Sequence, residues 1–377
     1  MIKNLYSFHL LFILLLVSNC KSKINNKQDD QIFTISYSNT KEKLFEEYFD
    51  ISNPKIVQFE YSDTITLSDK LLIQPTNSYY FVYDALTIQM YRFNKDGSLI
   101  NKIGTTGSAP DEYSNILSFQ VDTITKTLDV LCNGGNKIMT FDYHGRYVKS
   151  FLTPVNTASF AKINNNSYWF YSGFTHPKSF RIHLCDTNSI IKSYLPLKTK
   201  AIEFTEQNFS GINGNGLFRE SLLPSIYMYD SVNFAEVLRF DFGKKTITEE
   251  ALSKVVDPFK YYDNILKNGV YTTIQTAQNK KTIYVRTLYQ KEERAIISHF
   301  IFNKTDSSTI KLTNDELFKE FSLKLSIVDI DNENFYNFLT SPGALEDFLE
   351  KNSINLNNVN RINPNGNPII ISFKPLN

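Results

Sequence analysis

The sequence predicts an all-β fold, a six-bladed β-propeller with short helices between some blades, and three observations lead there. First, one tail, Phe141-Asp142-Tyr143-His144-Gly145-Arg146-Tyr147-Val148-Lys149-Ser150-Phe151, recurs in degraded copies. Upstream, Phe93, Asn94, Lys95, Asp96, Gly97, Ser98, Leu99 and Ile100 repeat it in register. Downstream, Leu184, Asn188, Ile191, Lys192, Ser193 and Tyr194 stand where Phe141, Gly145, Val148, Lys149, Ser150 and Phe151 stood. Gly and Asn at one turn position imply left-handed backbone there. Second, six apolar, aromatic-rich strands recur at about 40 to 60 residues, the spacing of propeller blades: Tyr80–Tyr83, Leu128–Leu131, Tyr168–Tyr171, Ile226–Tyr229, Ile283–Arg286 and Phe335–Phe338. Third, most are followed by a polar break and a second strand: Ile88–Phe93, Lys137–Phe141, Phe180–Leu184, Glu236–Phe240 and Ala295–Phe302. A small sheet of this kind cannot bury both faces alone, whereas several packed radially can. With 30 Phe and 22 Tyr against one Trp, the side chains suit packing between blades.

Taken in order, the chain opens with Lys3, an apolar run from Phe8 to Val17 that is too short to span a bilayer, and Cys20. This reads as a secretory signal over residues 1–20. Leu16-Val17-Ser18-Asn19-Cys20 resembles a bacterial lipobox, which makes Cys20 the expected lipidation site and the first mature residue, and the lipid the expected membrane partner. Residues 21–31, polar and without aromatics, read as a flexible tether. Residues 32–377 read as one propeller domain, closed by a terminal strand around Ile369–Phe373 that pairs with an early strand around Ile56–Tyr61. Helical signals fall between repeats. Thr313 with Glu316 forms a capping box, Ser341-Pro342 opens a helix with Leu345, Phe348 and Leu349 on one face, and Thr40–Phe49 and Thr248–Val256 look similar. The formal net charge of +1 gives no argument for nucleic acid, and a monomer is expected. Cys132 and Cys185, each inside a strand, read as buried thiols rather than a disulfide.

The segment Ile103-Gly104-Thr105-Thr106-Gly107-Ser108-Ala109-Pro110-Asp111-Glu112-Tyr113 resembles the blade linker of the six-bladed β-propeller lipoproteins of Bacteroidetes, relatives of NHL-repeat propellers. Asp241-Phe242-Gly243-Lys244 and the closing Gly366–Phe373 are similar to that family's later blades and terminal strand. The resemblance implies an anchored propeller of the cell envelope, on the outer membrane, with no agreed catalytic residues. It also implies a structural role for Glu112 in the linker turn. Asp63-Thr64-Ile65, Asp122-Thr123-Ile124 and Asp230-Ser231-Val232 are similar to the O-glycosylation acceptor of that phylum, but each is short enough to arise by chance and an ordinary turn before a strand is the favoured reading.

Signals for chemistry are sparse. His9, His144, His176, His183 and His299 form no His-x-x-x-His or His-Glu-x-x-His pair, so no metal site is expected. Asp329-Ile330-Asp331-Asn332-Glu333 begins like a calcium loop, but Asn334 stands where Gly is wanted and the twelfth-position Glu is missing, so it reads as a hairpin end. Gly211–Gly216 lacks the Lys-Ser/Thr of a phosphate loop and reads as a surface loop; no nucleophile elbow and no cofactor motif is present, and no catalytic residue is assigned. Trp169 with Tyr171, Arg181 and neighbouring His183 is the one cluster to nominate for ligand binding, with packing inside a blade as the other reading of Trp169. The expected function is a non-catalytic binding module for a glycan, peptide or partner protein of the envelope. The alternative is a lyase or hydrolase working on a glycan or peptide in the central channel. Because the repeated tail reads as scaffolding, function is expected in the linkers that interrupt it, above all Thr205–Leu223 and Thr305–Glu320.

Overall fold

The computed structural model describes residues 32–173, 180–198, 207–212, 214–312, 326–331, 333–352 and 362–376. The signal with Cys20, the tether and the Thr313–Glu316 capping box lie outside the described residues. After β1 (Phe33–Ser36), β2 (Lys41–Lys43), the one-turn helix α1 (Phe45–Tyr48) and β3 (Lys55–Gln58), the chain builds its blades in succession. The first blade is β4 (Leu71–Pro75), β5 (Tyr79–Asp84), β6 (Gln89–Asn94) and β7 (Leu99–Ile103); the second is β8 (Ser118–Asp122), β9 (Thr127–Cys132), β10 (Lys137–Asp142) and β11 (Tyr147–Leu152). The third is β12 (Ser159–Lys162), β13 (Ser167–Tyr171), β14 (Phe180–Asp186) and β15 (Ile190–Pro196), and the fourth is β16 (Phe209–Ile212), β17 (Asn215–Arg219), β18 (Ser225–Tyr229) and β19 (Phe234–Asp241). After helices α2 (Glu249–Ser253) and α3 (Pro258–Asn268), the fifth is β20 (Val270–Gln278), β21 (Thr282–Lys291), β22 (Arg294–Asn303) and β23 (Thr309–Leu312). The sixth comprises β24 (Ser326–Ile330), β25 (Tyr336–Thr340) and, beyond α4 (Pro342–Lys351), β26 (Ile369–Phe373). Its outer strand is β3, paired antiparallel with β26 from Ile369 opposite Gln58 to Ser372 opposite Lys55. The two ends of the chain thus close the ring, as expected.

Each seam between successive blades holds its own apolar cluster. Phe81 and Tyr83 meet Phe119 and Phe141 at the first seam, Leu131 and Ile138 meet Tyr168 and Phe170 at the second, and Trp169 and Tyr171 meet Phe218 and Phe234 at the third. Phe240 meets Phe300 at the fourth, Tyr284 meets Tyr336 and Phe338 at the fifth, and Ile370 meets Tyr80 and Phe93 across the closing seam. Full burial of a Phe side chain contributes about 1.5–3 kcal/mol, so the aromatic content of the sequence becomes the cohesion between blades. Cys132 and Cys185 are buried in two different clusters and are not joined to each other.

The repeated tail forms the hairpin between the third and outer strands, and its glycine has a definite task. Gly97 and Gly145 adopt φ of +90° and +85°. A Cβ at Gly97 would collide with the Gln58 carbonyl of the sixth blade, and one at Gly145 with the Lys102 carbonyl of the first. The same hairpins bond to the preceding blade, Glu60 N donating to Gly97 O at 2.9 Å and Gly104 N to Gly145 O at 3.1 Å. The tail is therefore a seam device. The third copy departs from expectation, because Asn188 is not among the residues with positive φ. Cys185 pairs with Ile190, leaving four turn residues where Phe141 and Tyr147 enclose five. The shorter turn is held by Asp186 Oδ1, which accepts from the Asn188 and Ser189 amides at 2.7 and 2.6 Å, and needs no left-handed residue.

Three further expectations are corrected. Ile226–Tyr229, read as one of six equivalent recurring strands, lies in β18, the third strand of its blade, whereas the other five lie in the second. The reason is that Gly211–Gly216 is not a surface loop but the inner hairpin β16–β17, with Gly211 opposite Gly216. Side chains at Gly211 or Gly216 would collide with the facing backbone, so the glycines that look like loop residues permit close strand approach. Thr40–Phe49 is helical only over Phe45–Tyr48. Lys41–Lys43 instead runs parallel to β23, and β1 runs parallel to β19, as fifth strands on two blades. These additions pair the outer edges of the fourth and fifth blades, and Glu42 meets Lys311 at 3.0 Å. The helix at Ser341 forms as expected: Ser341 Oγ accepts from Ala344 N at 3.3 Å, and Leu345, Phe348 and Leu349 are buried.

Candidate functional site on the loop-bearing face

Because each blade is an antiparallel sheet and the inner strands succeed one another around one axis, its connections sort onto two faces. One face receives the turns from second to third strand and the crossings to the next blade. The long insertions therefore gather there: residues 104–117, residues 242–269 with α2 and α3, and residues 341–352 with α4. The opposite face carries short hairpins. In the linker 104–117, Glu112 Oε2 accepts from Ala109 N at 2.9 Å, while Tyr113 OH donates to Ile103 O at 2.8 Å, so Glu112 shapes a turn. The channel is crossed by Gln74, whose Nε2 donates to Gly211 O at 3.1 Å and whose Oε1 accepts from Val121 N at 2.9 Å. One side chain on the first blade thereby ties the fourth and second blades across the axis.

Between the third and fourth blades, just under the loop-bearing face, lies a buried charged network. Arg181 is the second residue of β14, Tyr171 ends β13, Glu220 follows β17 and Glu249 starts α2. Arg181 Nε lies 2.9 Å from Glu220 Oε1, its NH2 donates to Glu249 Oε1 at 2.6 Å, and its NH1 donates to Pro196 O at 3.3 Å. Tyr171 OH donates to Glu220 Oε1 at 3.0 Å, and Lys198 Nζ reaches Glu249 Oε2 at 3.3 Å. Arg181 and Glu220 are 1% and 2% exposed, whereas Lys198 and Glu249 reach solvent, so the network opens toward the insertions. Burial pushes the Glu220 carboxyl up, with Arg181 opposing. Burial works the same way on Glu249, but the Arg181 and Lys198 partners prevail and hold it below the usual carboxylate range. One guanidinium thus faces an ionised carboxylate and a second that resists ionisation, and Glu220 Oε2 has no hydrogen-bond partner among the described residues.

The family model "Domain of unknown function (DUF4934)" matches residues 23–374. The chain belongs to that family. A search of curated proteins finds no match. Among solved structures, the "Putative exported protein" of Bacteroides fragilis NCTC 9343 is similar at 17% identity and TM-score 0.72, over 91% of this chain and 100% of that one. A member of the duf4221 family from Bacteroides vulgatus ATCC 8482 is similar at 12% identity and TM-score 0.54, over 88% and 99%. These likenesses establish the six-bladed propeller fold, so the Bacteroidetes propeller resemblance read from the linker holds.

In this DUF4934 propeller, two of the three nominated residues, Tyr171 and Arg181, come together through Glu220. Trp169 does not join them as an open platform. It is fully buried against Tyr194 and Phe234 at ring separations of 5.4 Å, and its Nε1 donates to Asp230 O at 2.8 Å. His183, also buried, meets Ser193 Oγ at 2.9 Å. Sequence reasoning missed Glu220, although it lies in the stretch 205–223 singled out for function, which holds the blade strands β16 and β17 rather than an irregular linker. It also missed Glu249, which follows the capping Thr248 and so looks like an ordinary first-turn acid. Among the described residues, no group of three or more His, Cys, Asp or Glu is arranged to hold a metal ion, and no helix is long and apolar enough to cross a membrane. The Asp122 and Asp230 motifs form turns: Asp122 Oδ1 accepts from Ile124 N at 3.0 Å and Asp230 Oδ1 from Val232 N at 2.8 Å.

Proposed function

We propose that the protein is an exported cell-envelope lipoprotein, held by Cys20 at the outer membrane, and a non-catalytic binding module for a glycan, peptide or partner protein. The observation that carries the binding role is the sorting of the long insertions onto one face while Gln74 crosses the channel, which directs ligands to that face. The Arg181–Glu249–Lys198 network, with Tyr171 behind it, supplies polar groups beneath the face. The signal-like N-terminus and the likeness to an exported protein support the location.

A photo-crosslinking residue at Leu86, 72% exposed on the loop-bearing face, is expected to capture a partner in intact cells. The same residue at Ile124, 80% exposed on the opposite face, is expected to capture none. Equal capture from both faces would sink the assignment. Palmitate labelling is expected for the parent and absent for Cys20→Ala; equal labelling would remove the anchor. The buried Glu220 beside Arg181 and Tyr171 favours one second reading, a lyase or hydrolase. Turnover of a candidate glycan or peptide by the purified chain, lost in Glu220→Gln, would establish it.

A further inference from the structure

The insertion 242–269 ends in an exposed apolar turn whose surroundings point to its partner. At the junction of α2 and α3 the chain projects Val256, 95% exposed, and Phe259, 75% exposed, two residues that stand close together on one turn. The base of the insertion is well supported. Leu252 packs with Leu222, Leu223, Ile247 and Val270, with Tyr261, Tyr262, Ile265 and Leu266 against them. Asp257 caps α3 by accepting from Lys260 N at 3.2 Å, and Pro258 presets its first turn. A rigid base therefore holds the two apolar residues outward. Lys254 and Lys260 flank them at 72% and 87% side-chain exposure. Their pairings with Glu250 and Asp257 are surface contacts of little energy, which leaves the ammonium groups able to reach a neighbouring polar layer.

The point where the propeller begins bears on what meets this tip. Phe33 of β1 pairs with Leu238 of β19, and β19 leads, three residues later at Asp241, directly into the insertion. Three strand residues span about 10 Å. Because β1 runs parallel to β19, the chain preceding Ile32 enters this blade from the side away from the insertion, about 10 Å from its base, and the eleven residues 21–31 span at most about 40 Å when extended, a reach that includes the insertion side. We infer that Val256 and Phe259 form a second membrane contact, inserting into the interfacial layer of a phospholipid surface while Lys254 and Lys260 lie at headgroup level. This rests on the anchored-lipoprotein reading for its setting. A lipid chain and a shallow apolar insertion reinforce one another, since stable attachment takes two signals.

The test removes the anchor. Full-length chain carrying Cys20→Ala is floated with phosphatidylethanolamine/phosphatidylglycerol vesicles, beside the same chain with Val256→Asp and Phe259→Asp. The expected result is recovery of the first with vesicles and at least tenfold lower recovery of the second, with unchanged thermal unfolding because both positions are exposed. No flotation of the first chain, or equal flotation of both, would overturn the inference. So would loss of a crosslinked protein partner by the double variant without vesicle binding in either form, which would assign the tip to a protein pocket. Failure of palmitate labelling at Cys20 would remove the anchor without altering flotation, so the two readings fail separately.

Discussion

Replacing Lys162 by Met is expected to lower the unfolding free energy at neutral pH by about 3–5 kcal/mol, the usual consequence of removing one partner from a buried charge group. Lys162, on the inner strand of the third blade, places its Nζ 3.3 Å from Asp122 Oδ2 and 3.4 Å from Asp129 Oδ2 of the second, with Thr127 Oγ1 at 3.2 Å. The three side chains are 8%, 11% and 0% exposed. Asp129 is further engaged by Thr140 Oγ1 at 2.7 Å and Tyr168 OH at 3.0 Å. Without the ammonium group, two carboxylates face each other across a dry seam. Denaturant unfolding of the parent, Lys162→Met, and Lys162→Met with Asp122→Asn and Asp129→Asn measures the effect. The triple variant is expected to recover most of the loss, since an uncharged group of similar volume need not be destabilising. A loss below about 1 kcal/mol for the single change would show that the seam does not depend on this charge. Burial works to raise the Asp122 carboxyl, yet turn hydrogen bonds from Thr125 and the Lys162 ammonium hold it below the ordinary value. A depressed carboxyl contributes stability that is lost as pH falls through its folded value, so the Lys162→Met deficit shrinks in acid.

The parts of the fold legible in the sequence are those in which local chemistry and tertiary packing ask for the same residues. Aromatic strands such as Tyr80–Tyr83 and Tyr168–Tyr171 are apolar throughout because each side faces another blade. Gly97 and Gly145 mark hairpins that need left-handed backbone and lie against a neighbouring carbonyl. Legibility fails where one residue type serves two purposes. Gly211 and Gly216 look like loop residues, yet they allow β16 and β17 to approach, and the misreading shifts the register of the whole fourth blade. β1 and β2 are too short to announce themselves and are specified by the open edges of β19 and β23 rather than by their own pattern. Trp169, nominated for its chemistry, is fixed by Phe234 and the Asp230 carbonyl, neither of which is near it in sequence. Glu220 carries no local signal, because its significance depends on Arg181 and Tyr171, brought from the blade before.

Asp329→Asn is expected to stabilise the protein above pH 7 and to leave it nearly unchanged near pH 4. Asp329 lies on the inner strand of the last blade, where the ring closes on the first. Burial of its carboxyl, with the nearby Asp331 charge, pushes it up to about 7, while the Ile330 backbone hydrogen bond and Lys95 act the other way. The neighbours across the seam respond to the same charges. Tyr80 is raised to about 12, chiefly by burial and then by Asp331 and Asp329, and Lys95 Nζ sits 4.0 Å over the Tyr80 ring. A carboxyl whose folded value exceeds its unfolded one binds a proton more tightly in the native state. Its stabilising contribution is therefore complete below pH ~4 and declines as pH rises toward 7, beyond which the penalty is constant. Unscreened, that interval would correspond to about 4 kcal/mol at 1.36 kcal/mol per pH unit. Partial exposure of the residue reduces the expected gain for Asn at pH 8 to about 2–3 kcal/mol. Denaturant unfolding of parent and variant at pH 4, 6 and 8 measures the divergence, and parallel pH profiles would exclude Asp329 as its source. The expected sign identifies the ring closure as a place where the native fold tolerates a destabilising group: β3 and β26 supply the hydrogen bonds that shut the ring, while the inner strand beside them carries an acid the seam would rather keep protonated.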